Sequence, residues 1–203
     1  MRYYSQQNED QVLYNKYLNY RDGFFIELGA MDGITFSNTL FFENHLGWSG
    51  ILIEPTSQFN SLVQNRPNCL NFNYAISETD GEVEFLGDHA LGGILSSMHD
   101  DHRIGWKLDQ KGTKYLVKSK PFTEILKNIE ISKVDFFSID VEGGEYEVLK
   151  TFDWEIPVYI ILIEMSEGNP NNELCRDLMR MKGFTLDMYL GINEVWINHN
   201  FKK

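Results

Sequence analysis

The chain of 203 residues is 42% hydrophobic and carries a formal net charge of -12 at pH 7. That length is enough to bury a substantial core, so we predict one domain over residues 1–203. The acidic balance argues against a nucleic-acid partner, because binding to a phosphate backbone depends on clustered lysine and arginine side chains.

Cysteine usage and the polar N-terminus favour a cytoplasmic protein without a membrane partner. Cys69 and Cys175 form neither a metal-ligand spacing nor a disulfide framework. The first residues, MRYYSQQNEDQ, lack the apolar core of a signal peptide. The longest apolar run, 158–163, is too short to cross a bilayer.

Apolar periodicity predicts a helical N-terminal segment over residues 1–22, followed by alternating strands and helices. The N-terminal helix is expected at 5–20, and further helices at 37–46, 56–65, 122–128, 145–152 and 172–181. The strands are expected at 24–28, 50–54, 70–76, 82–85, 115–118, 134–139 and 158–164, with a closing pair at 184–188 and 194–198. This order is typical of a mostly parallel, doubly wound α/β sheet that ends in an antiparallel hairpin.

The least regular stretch, residues 86–114, is predicted to be a loop insertion over the active site. Long loops inside compact domains are usually functional or mobile. This one contains His89, His99 and His102. Each is either a candidate general base, since histidine titrates near neutral pH, or an ordinary surface residue. Their spacing does not form a convincing zinc site.

The segment FFIELGAMDG, residues 24–33, predicts a buried strand that runs into a glycine loop. Gly29 and Gly33 would let the backbone approach a ligand, and Asp32 would either face a ligand ammonium or cap the loop. The loop contains neither GxGxxG nor GxxxxGK[ST], so it is not built to hold a pyrophosphate. A ligand that is cationic and carries no phosphate fits better, and S-adenosylmethionine has these properties.

Carboxylates lie at the carboxyl ends of four apolar strands. Ligands of open α/β sheets bind at these strand ends. These residues are Glu27, Glu54, Asp140 and Glu164. Glu54 precedes a proline at the end of its strand, where it can accept hydrogen bonds from the two hydroxyls of a ribose. We therefore predict a cofactor and substrate site along this edge of the sheet.

The segment DVEGGE, residues 140–145, is the predicted catalytic segment. Asp140 would act as general base and remove the proton of an acceptor hydroxyl during methyl transfer. Asp140, Glu142 and Glu164 could alternatively hold a divalent cation through oxygen ligands and so position two neighbouring hydroxyls of a sugar. Alternatively, Glu142 and Glu145 are acids at the start of the next helix that interact favourably with its dipole.

Motifs along nearly the whole chain resemble the FkbM-type family of S-adenosylmethionine-dependent methyltransferases. In order, they are Ser5-Gln6 with Glu9-Asp10, IELGAMDG, Ser37-Asn38-Thr39, GWSG before LIEP, Asn73-Tyr74-Ala75-Ile76, and IDVEGGEYEVL. The resemblance implies a Rossmann-like class I methyltransferase fold and methyl transfer to oxygen. Members of the family are associated with hydroxyls of sugars, glycolipids and natural products.

The resemblance also implies roles for individual residues. Glu27, Gly29, Asp32 and Gly33 would line the methionine end of the cofactor, and Glu54 would bind its ribose. Asn73 and Ala75 would lie near the adenine, while Thr39, Gln6 and Asp10 would lie near the cofactor or in a lid over it. Asp140 and Glu142 would face the acceptor. Residues 86–114 match none of the family's motifs and are expected to shape the acceptor pocket.

The combined interpretation is an S-adenosylmethionine-dependent O-methyltransferase for a small hydroxylated acceptor, best guessed as a deoxyhexose or nucleotide-sugar. An RNA ribose methyltransferase is one alternative, and the net charge of -12 counts against it. A non-catalytic nucleoside-binding module is a second. A nicotinamide-dependent oxidoreductase is a third, disfavoured by the missing phosphate loop.

Overall fold

The computed structural model of the protein describes residues 1–87 and 89–202. Its helices are α1 Glu9–Lys16, α2 Leu40–Leu46, α3 Phe59–Asn65, α4 Asp100–Gly105, α5 Leu108–Lys111, α6 Phe122–Leu126, α7 Glu145–Thr151 and α8 Asn172–Met181. Its strands are β1 Phe24–Leu28, β2 Ser49–Ile53, β3 Leu70–Phe72, β4 Ala75–Ile76, β5 Gly81–Leu86, β6 Gly93–Ile94, β7 Lys114–Lys120, β8 Val134–Ile139, β9 Val158–Glu164, β10 Thr185–Leu190 and β11 Asn193–Ile197.

A seven-stranded sheet forms the centre of the fold, in the order β10-β11-β9-β8-β1-β2-β3. The five strands from β9 to β3 run parallel. β11 lies between β9 and β10 and is antiparallel to both. The predicted α/β fold with a mostly parallel sheet and a C-terminal antiparallel hairpin is therefore confirmed.

Both faces of this sheet are covered by helices. Phe122 of α6, Leu149 of α7 and Met179 of α8 pack in one core, and Leu13 of α1 and Phe41 of α2 pack in the other. β8 is buried at all six positions, as expected for a central parallel strand with helices on both sides. The sheet is packed between the two cores, and this packing holds the ends of its strands in place.

A second, smaller sheet has the order β4-β7-β5-β6. The prediction of a single strand over 70–76 is wrong. The chain forms two strands there, because β3 belongs to the main sheet and β4 pairs with β7 of the second sheet. At the break, the side-chain amide of Asn73 donates a 2.8 Å hydrogen bond to the carbonyl oxygen of Glu54. Asn73 thus fastens the chain to the end of β2 where it leaves the main sheet.

The segment 86–114 begins and ends at neighbouring positions of the second sheet, because Leu86 of β5 and Lys114 of β7 are register partners. The segment is more regular than predicted, with β6, α4 and α5 in it. Leu86, Met98 and Leu108 form a small core of their own beneath it. Its position beside the sheet edge is therefore fixed by packing.

The N-terminal helix is shorter than predicted, at Glu9–Lys16 instead of 5–20. The chain before it is held by Asp10, which accepts hydrogen bonds from the Ser5 hydroxyl at 2.7 Å and the Tyr4 backbone N–H at 2.7 Å. In the part of the chain that the structure describes, no helix combines the length and the apolar character needed to cross a membrane.

Candidate active site

A cavity of about 420 Å³ opens at the carboxyl ends of β1, β2, β8 and β9. β1 pairs with β2 on one side and β8 on the other, so the direction of winding reverses beside it. Ligands of open α/β sheets bind at this kind of switch point. Six of the ten predicted site residues line the cavity, namely Glu27, Gly29, Glu54, Ala75, Asp140 and Glu142.

Gly29 allows the loop after β1 to lie directly against the end of β8. Its φ is +73°, and a Cβ atom at this position would be 1.9 Å from the carbonyl oxygen of Asp140. A side chain there is incompatible with both the backbone angle and the space. Gly33 is similarly enclosed, with a hypothetical Cβ 2.7 Å from side-chain atoms of Leu62 and Arg66.

Glu54 lies at the end of β2 with its carboxylate in the cavity wall. One oxygen accepts a hydrogen bond from the Met31 backbone N–H at 2.9 Å, and the other from the Thr56 N–H at 2.8 Å. Burial raises the pKa of Glu54, although hydrogen bonds from Thr56 and Met31 oppose that shift. A carboxylate has about four acceptor positions, so acceptor capacity stays available for a hydroxyl of a ribose.

Glu27 has both carboxylate oxygens engaged by the protein itself. It accepts hydrogen bonds from the hydroxyls of Ser37 at 2.9 Å and Thr39 at 2.5 Å, and from the Asn38 N–H at 2.7 Å. Fully buried Arg66 lies 3.9 Å from the same carboxylate and donates to the Thr39 hydroxyl. Glu27 and Thr39 thereby fix the loop before α2, and Thr39 does not line the cavity.

Asp32 and Asn73 also lie behind the cavity wall. Asp32 accepts hydrogen bonds from the backbone N–H groups of Ile34 and Thr35 and from the Thr35 hydroxyl. Burial alone would raise the pKa of Asp32, but these hydrogen bonds outweigh burial and lower it. Of the two roles considered for Asp32, the geometry fits the loop cap. Neither Asp32, Gly33 nor Asn73 contributes to the cavity lining.

Three carboxylates converge at the opposite side of the cavity. One oxygen from each of Asp140, Glu142 and Glu164 lies within 4.8 Å of the others. Asp140 follows β8 directly, and it is an exposed residue of the cavity lining. Desolvation and the charges of Glu164 and Glu142 raise the pKa of Asp140 well above its ordinary value. Desolvation, with Glu164 and Glu145, raises that of Glu142 to about 9.

The segment 86–114 closes this side of the cavity. Its three histidines, His89, His99 and His102, all line the cavity. Nδ1 of His102 in α4 is 3.3 Å from Oε2 of Glu142. A Cβ atom at Gly93 would lie 2.8 Å from the Glu142 carbonyl oxygen, so the backbones are in close contact. Residues of the segment thus line the cavity, and its role over an active site stays a prediction.

Strained backbone is concentrated around the cavity. Met31, Phe36, His89 and Glu142 have φ values of 50°, 58°, 56° and 55°, and all four line it. Left-handed φ is uncommon in residues other than glycine. Such strain clusters at ligand sites, where the surrounding structure holds it in place. These four residues therefore support the cavity as a candidate ligand site.

Several cavity residues were not anticipated from the sequence. They are Glu9 of α1, Phe36, Trp106, and Ile192 and Asn193 at the turn between β10 and β11. The side-chain amide of Asn193 donates a 2.9 Å hydrogen bond to Glu9, so the two ends of the chain meet beside the site. The sequence around a hairpin turn does not indicate that the turn contributes to a site formed by distant strands.

The sheet order, the glycine turn without a phosphate loop and the acidic strand ends together define a Rossmann-like methyltransferase. The chain belongs to the FkbM methyltransferase family, because the family described as "Methyltransferase FkbM domain" matches residues 27–186, well over half of the chain. Among curated proteins, none matches the chain.

One of the similar solved structures, fibrillarin, supports the fold, and two others are less similar. Fibrillarin from Aeropyrum pernix, in complex with natively bound S-adenosyl-L-methionine, has a TM-score of 0.51 at 12% identity, covering 95% of this chain and 73% of its own. TrmK from M. capricolum, in complex with S-adenosyl-homocysteine, has a TM-score of 0.44 at 10% identity over 89% of this chain. A SAM-dependent methyltransferase from Aquifex aeolicus has a TM-score of 0.44 at 12% identity, covering 94% of this chain and 88% of its own. The chain spans 64% of the length of TrmK, slightly less than two thirds.

Proposed function

We propose that the protein is an S-adenosylmethionine-dependent O-methyltransferase that acts on a hydroxyl of a small acceptor, with a deoxyhexose or nucleotide-sugar as the substrate class. The observation that carries this proposal is the pair of carboxylates, Glu54 and Asp140, that face one cavity from the ends of β2 and β8. Membership of the FkbM methyltransferase family and the bound S-adenosyl-L-methionine of the fibrillarin structure support the cofactor.

The residues present fit this cofactor. Glu54 keeps acceptor positions for the ribose hydroxyls, and Gly29 leaves the wall between β1 and β8 free of side-chain atoms. No lysine or arginine is among the described residues of the lining, whereas acids are numerous. Such a wall suits a cofactor that carries positive charge and no phosphate, and the phosphates of a nucleotide-linked acceptor would lie outside it.

Methyl transfer requires alignment and removal of one proton. When bound, S-adenosylmethionine supplies a methyl group on a positively charged sulfur, which leaves as a neutral thioether. Asp140 would accept the proton of the acceptor hydroxyl while the hydroxyl oxygen bonds to the methyl carbon. The walls contributed by β8 and by residues 86–114 would hold that hydroxyl in line with the breaking bond, which is a large part of catalysis.

The first experiment is calorimetric titration of the protein with S-adenosylmethionine and, separately, with NAD. Micromolar binding of S-adenosylmethionine alone supports the proposal. Binding of neither compound would contradict the cofactor assignment, and binding of NAD alone would favour the oxidoreductase alternative. Binding without transfer to any tested hydroxyl would favour the non-catalytic module.

Asp140→Asn tests the general base. We expect the variant to bind S-adenosylmethionine but to lose on the order of 10²–10⁴ in methyl transfer, because an amide cannot accept the proton. Formation of S-adenosyl-homocysteine on a panel of nucleotide-linked deoxyhexoses is the readout. The matched control is Glu155→Gln, an exposed acid before β9 at the far end of the sheet. Full turnover by Asp140→Asn would place the base elsewhere and make His99 and His102 the next candidates.

The RNA alternative has one observation in its favour, the similarity to fibrillarin. At 12% identity that similarity concerns the fold alone. The net charge of -12 and the acidic cavity weigh against a polyanionic substrate.

A further inference from the structure

Trp106 differs from the other tryptophans of the chain in its surroundings. The indole N–H groups of Trp48, Trp154 and Trp196 each donate a hydrogen bond within the protein. The indole of Trp106 makes neither a hydrogen bond nor a ring contact with any described residue, and Trp106 is 60% exposed. It nevertheless lines the cavity. A large aromatic ring that the protein leaves uncovered at a cavity is available to a ligand.

Helix α4 places Trp106 beside the converging carboxylates. The Trp106 backbone N–H donates a 3.1 Å hydrogen bond to the carbonyl oxygen of His102, one helical turn earlier. Side chains four residues apart lie on the same face of a helix, with their Cβ atoms about 5–6 Å apart. Nδ1 of His102 is 3.3 Å from Oε2 of Glu142. The indole of Trp106 therefore lies about one helical turn from Glu142, a spacing that a single sugar ring can span.

A second uncovered apolar side chain, Ile192, borders the same carboxylates. Ile192 is 50% exposed and lines the cavity. Its carbonyl oxygen accepts a 3.1 Å hydrogen bond from the N–H of Met165, the residue after Glu164. One carboxylate oxygen of Glu164 lies within 4.8 Å of one of Glu142. Trp106 and Ile192 thus flank one acidic cluster from two separate elements, α4 and the turn between β10 and β11.

Carboxyl groups beside an uncovered indole fit a ring that has two kinds of surface. Carboxyl oxygens accept hydrogen bonds from hydroxyl groups. The face of an indole is weakly negative, so it attracts C–H groups while it buries apolar area. A hexose ring carries hydroxyls along its edge and C–H groups on its faces, and a deoxyhexose carries an additional methyl group. Such a sugar matches both surfaces at once.

We propose that Trp106 stacks against the ring of the acceptor sugar and so determines which acceptor is bound, while Ile192 contacts an apolar edge of the same ring. This inference rests on the proposed function, since it identifies how the proposed site holds its acceptor. Trp106 takes no part in removing the proton. Its loss therefore affects the KM for the acceptor more than kcat.

Kinetics of Trp106→Ala and Trp106→Phe test this role. We expect Trp106→Ala to raise the KM for a dTDP-linked deoxyhexose about tenfold or more, and Trp106→Phe to stay close to wild type, because phenylalanine retains an aromatic face. The Kd for S-adenosylmethionine, measured by calorimetry, should not change. Ile104→Ala is the matched control, because Ile104 is a 68% exposed residue of α4 outside the described cavity lining.

Quenching of tryptophan fluorescence by acrylamide measures acceptor binding without turnover. The difference between wild type and Trp106→Phe isolates the signal of Trp106. With S-adenosyl-homocysteine present, we expect methyl glycosides of deoxyhexoses at millimolar concentration to protect Trp106 from the quencher. These probes contain no nucleobase. Protection by free dTDP but not by any glycoside would assign Trp106 to a nucleobase and overturn the sugar contact.

The outcomes separate this inference from the proposed function. If wild type methylates the sugar and folded Trp106→Ala keeps the same KM, the role of Trp106 is overturned and the proposed function stands. If S-adenosylmethionine does not bind, the proposed function fails, but protection of Trp106 by the glycoside still supports the sugar contact. If no glycoside protects Trp106 and no sugar is methylated, the inference is overturned together with a sugar as the acceptor. Near-ultraviolet circular dichroism verifies that each variant is folded.

Discussion

Under the proposed function, Glu54 is the residue expected to bind the ribose of the cofactor, and its two oxygens already accept hydrogen bonds from the loops after β1 and β2. Glu54→Gln is expected to weaken S-adenosylmethionine binding about 10- to 100-fold, since a hydrogen bond to a charged group contributes about 1.5–3 kcal/mol. The amide NH₂ would also face the N–H of Met31 or Thr56, donor against donor. Calorimetric titration of the variant measures the change.

Glu155→Gln again serves as the control for removing one negative charge from the protein. Thermal unfolding of Glu54→Gln must remain cooperative for the comparison to hold. An unchanged affinity for S-adenosylmethionine in a folded variant would remove the ribose assignment of Glu54.

Single residues also show how far the sequence could predict the site. Glu54 and Asp140 were predicted because each ends an apolar run, and a strand end has a defined position in a parallel sheet. Thr39 and Asn73 were assigned to the cofactor through motif resemblance, and Asp32 also from the charge of its loop, but their hydrogen bonds hold loops behind the cavity wall. A motif contains residues that shape a site as well as those that line it, and spacing does not specify side-chain direction after a loop.

At the scale of elements, the start of α7 should make stability depend on pH. Glu145 in its first turn is buried and accepts a 3.0 Å hydrogen bond from the Gly143 N–H. Burial raises the pKa of Glu145 from 4.5 to about 7, against the opposing effect of that hydrogen bond. The folded protein thus retains a proton that the unfolded chain releases. The stabilisation from this proton is complete below pH 4.5 and is lost as pH rises through about 7.

Glu145→Gln removes this titration and keeps an oxygen for the Gly143 N–H. The free energy of unfolding of the variant, relative to wild type, should rise by on the order of 2–3 kcal/mol between pH 4.5 and pH 8. Urea denaturation of both proteins at several pH values measures the difference. A difference that does not vary with pH would show that the carboxyl group of Glu145 titrates alike in both states.

The elements also differ in how well they could be predicted. The central strands β1, β2, β8 and β9 are buried, mostly apolar runs, so their positions are clear in the sequence. Residues 86–114 form elements of two to six residues, such as β6 and α4, which depend on pairing with β5 and on a small core. The sequence of the segment alone therefore does not predict these elements, because their pairing partners lie in other parts of the chain.

At the scale of the whole molecule, the two chain ends complete the site. The Asn193–Glu9 hydrogen bond joins the hairpin turn to α1 beside the cavity. Tyr3 stacks on Phe41 with ring centroids 4.6 Å apart, which anchors the first residues against α2. The family match begins at residue 27, so this N-terminal contribution to the cavity lies outside the matched region.

The overall charge weighs in favour of a small acceptor over RNA. A protein gains RNA affinity by releasing counterions as lysine and arginine meet phosphates, which makes binding weaken steeply with salt. This chain has 18 such residues against 30 acids, and the described cavity wall has none of the 18. We therefore expect no binding of an RNA hairpin in fluorescence anisotropy at low ionic strength, with a basic RNA-binding protein as positive control. Salt-dependent binding by this protein would contradict the small-acceptor proposal and restore ribose methylation of RNA, since it would require a basic surface that the net charge conceals.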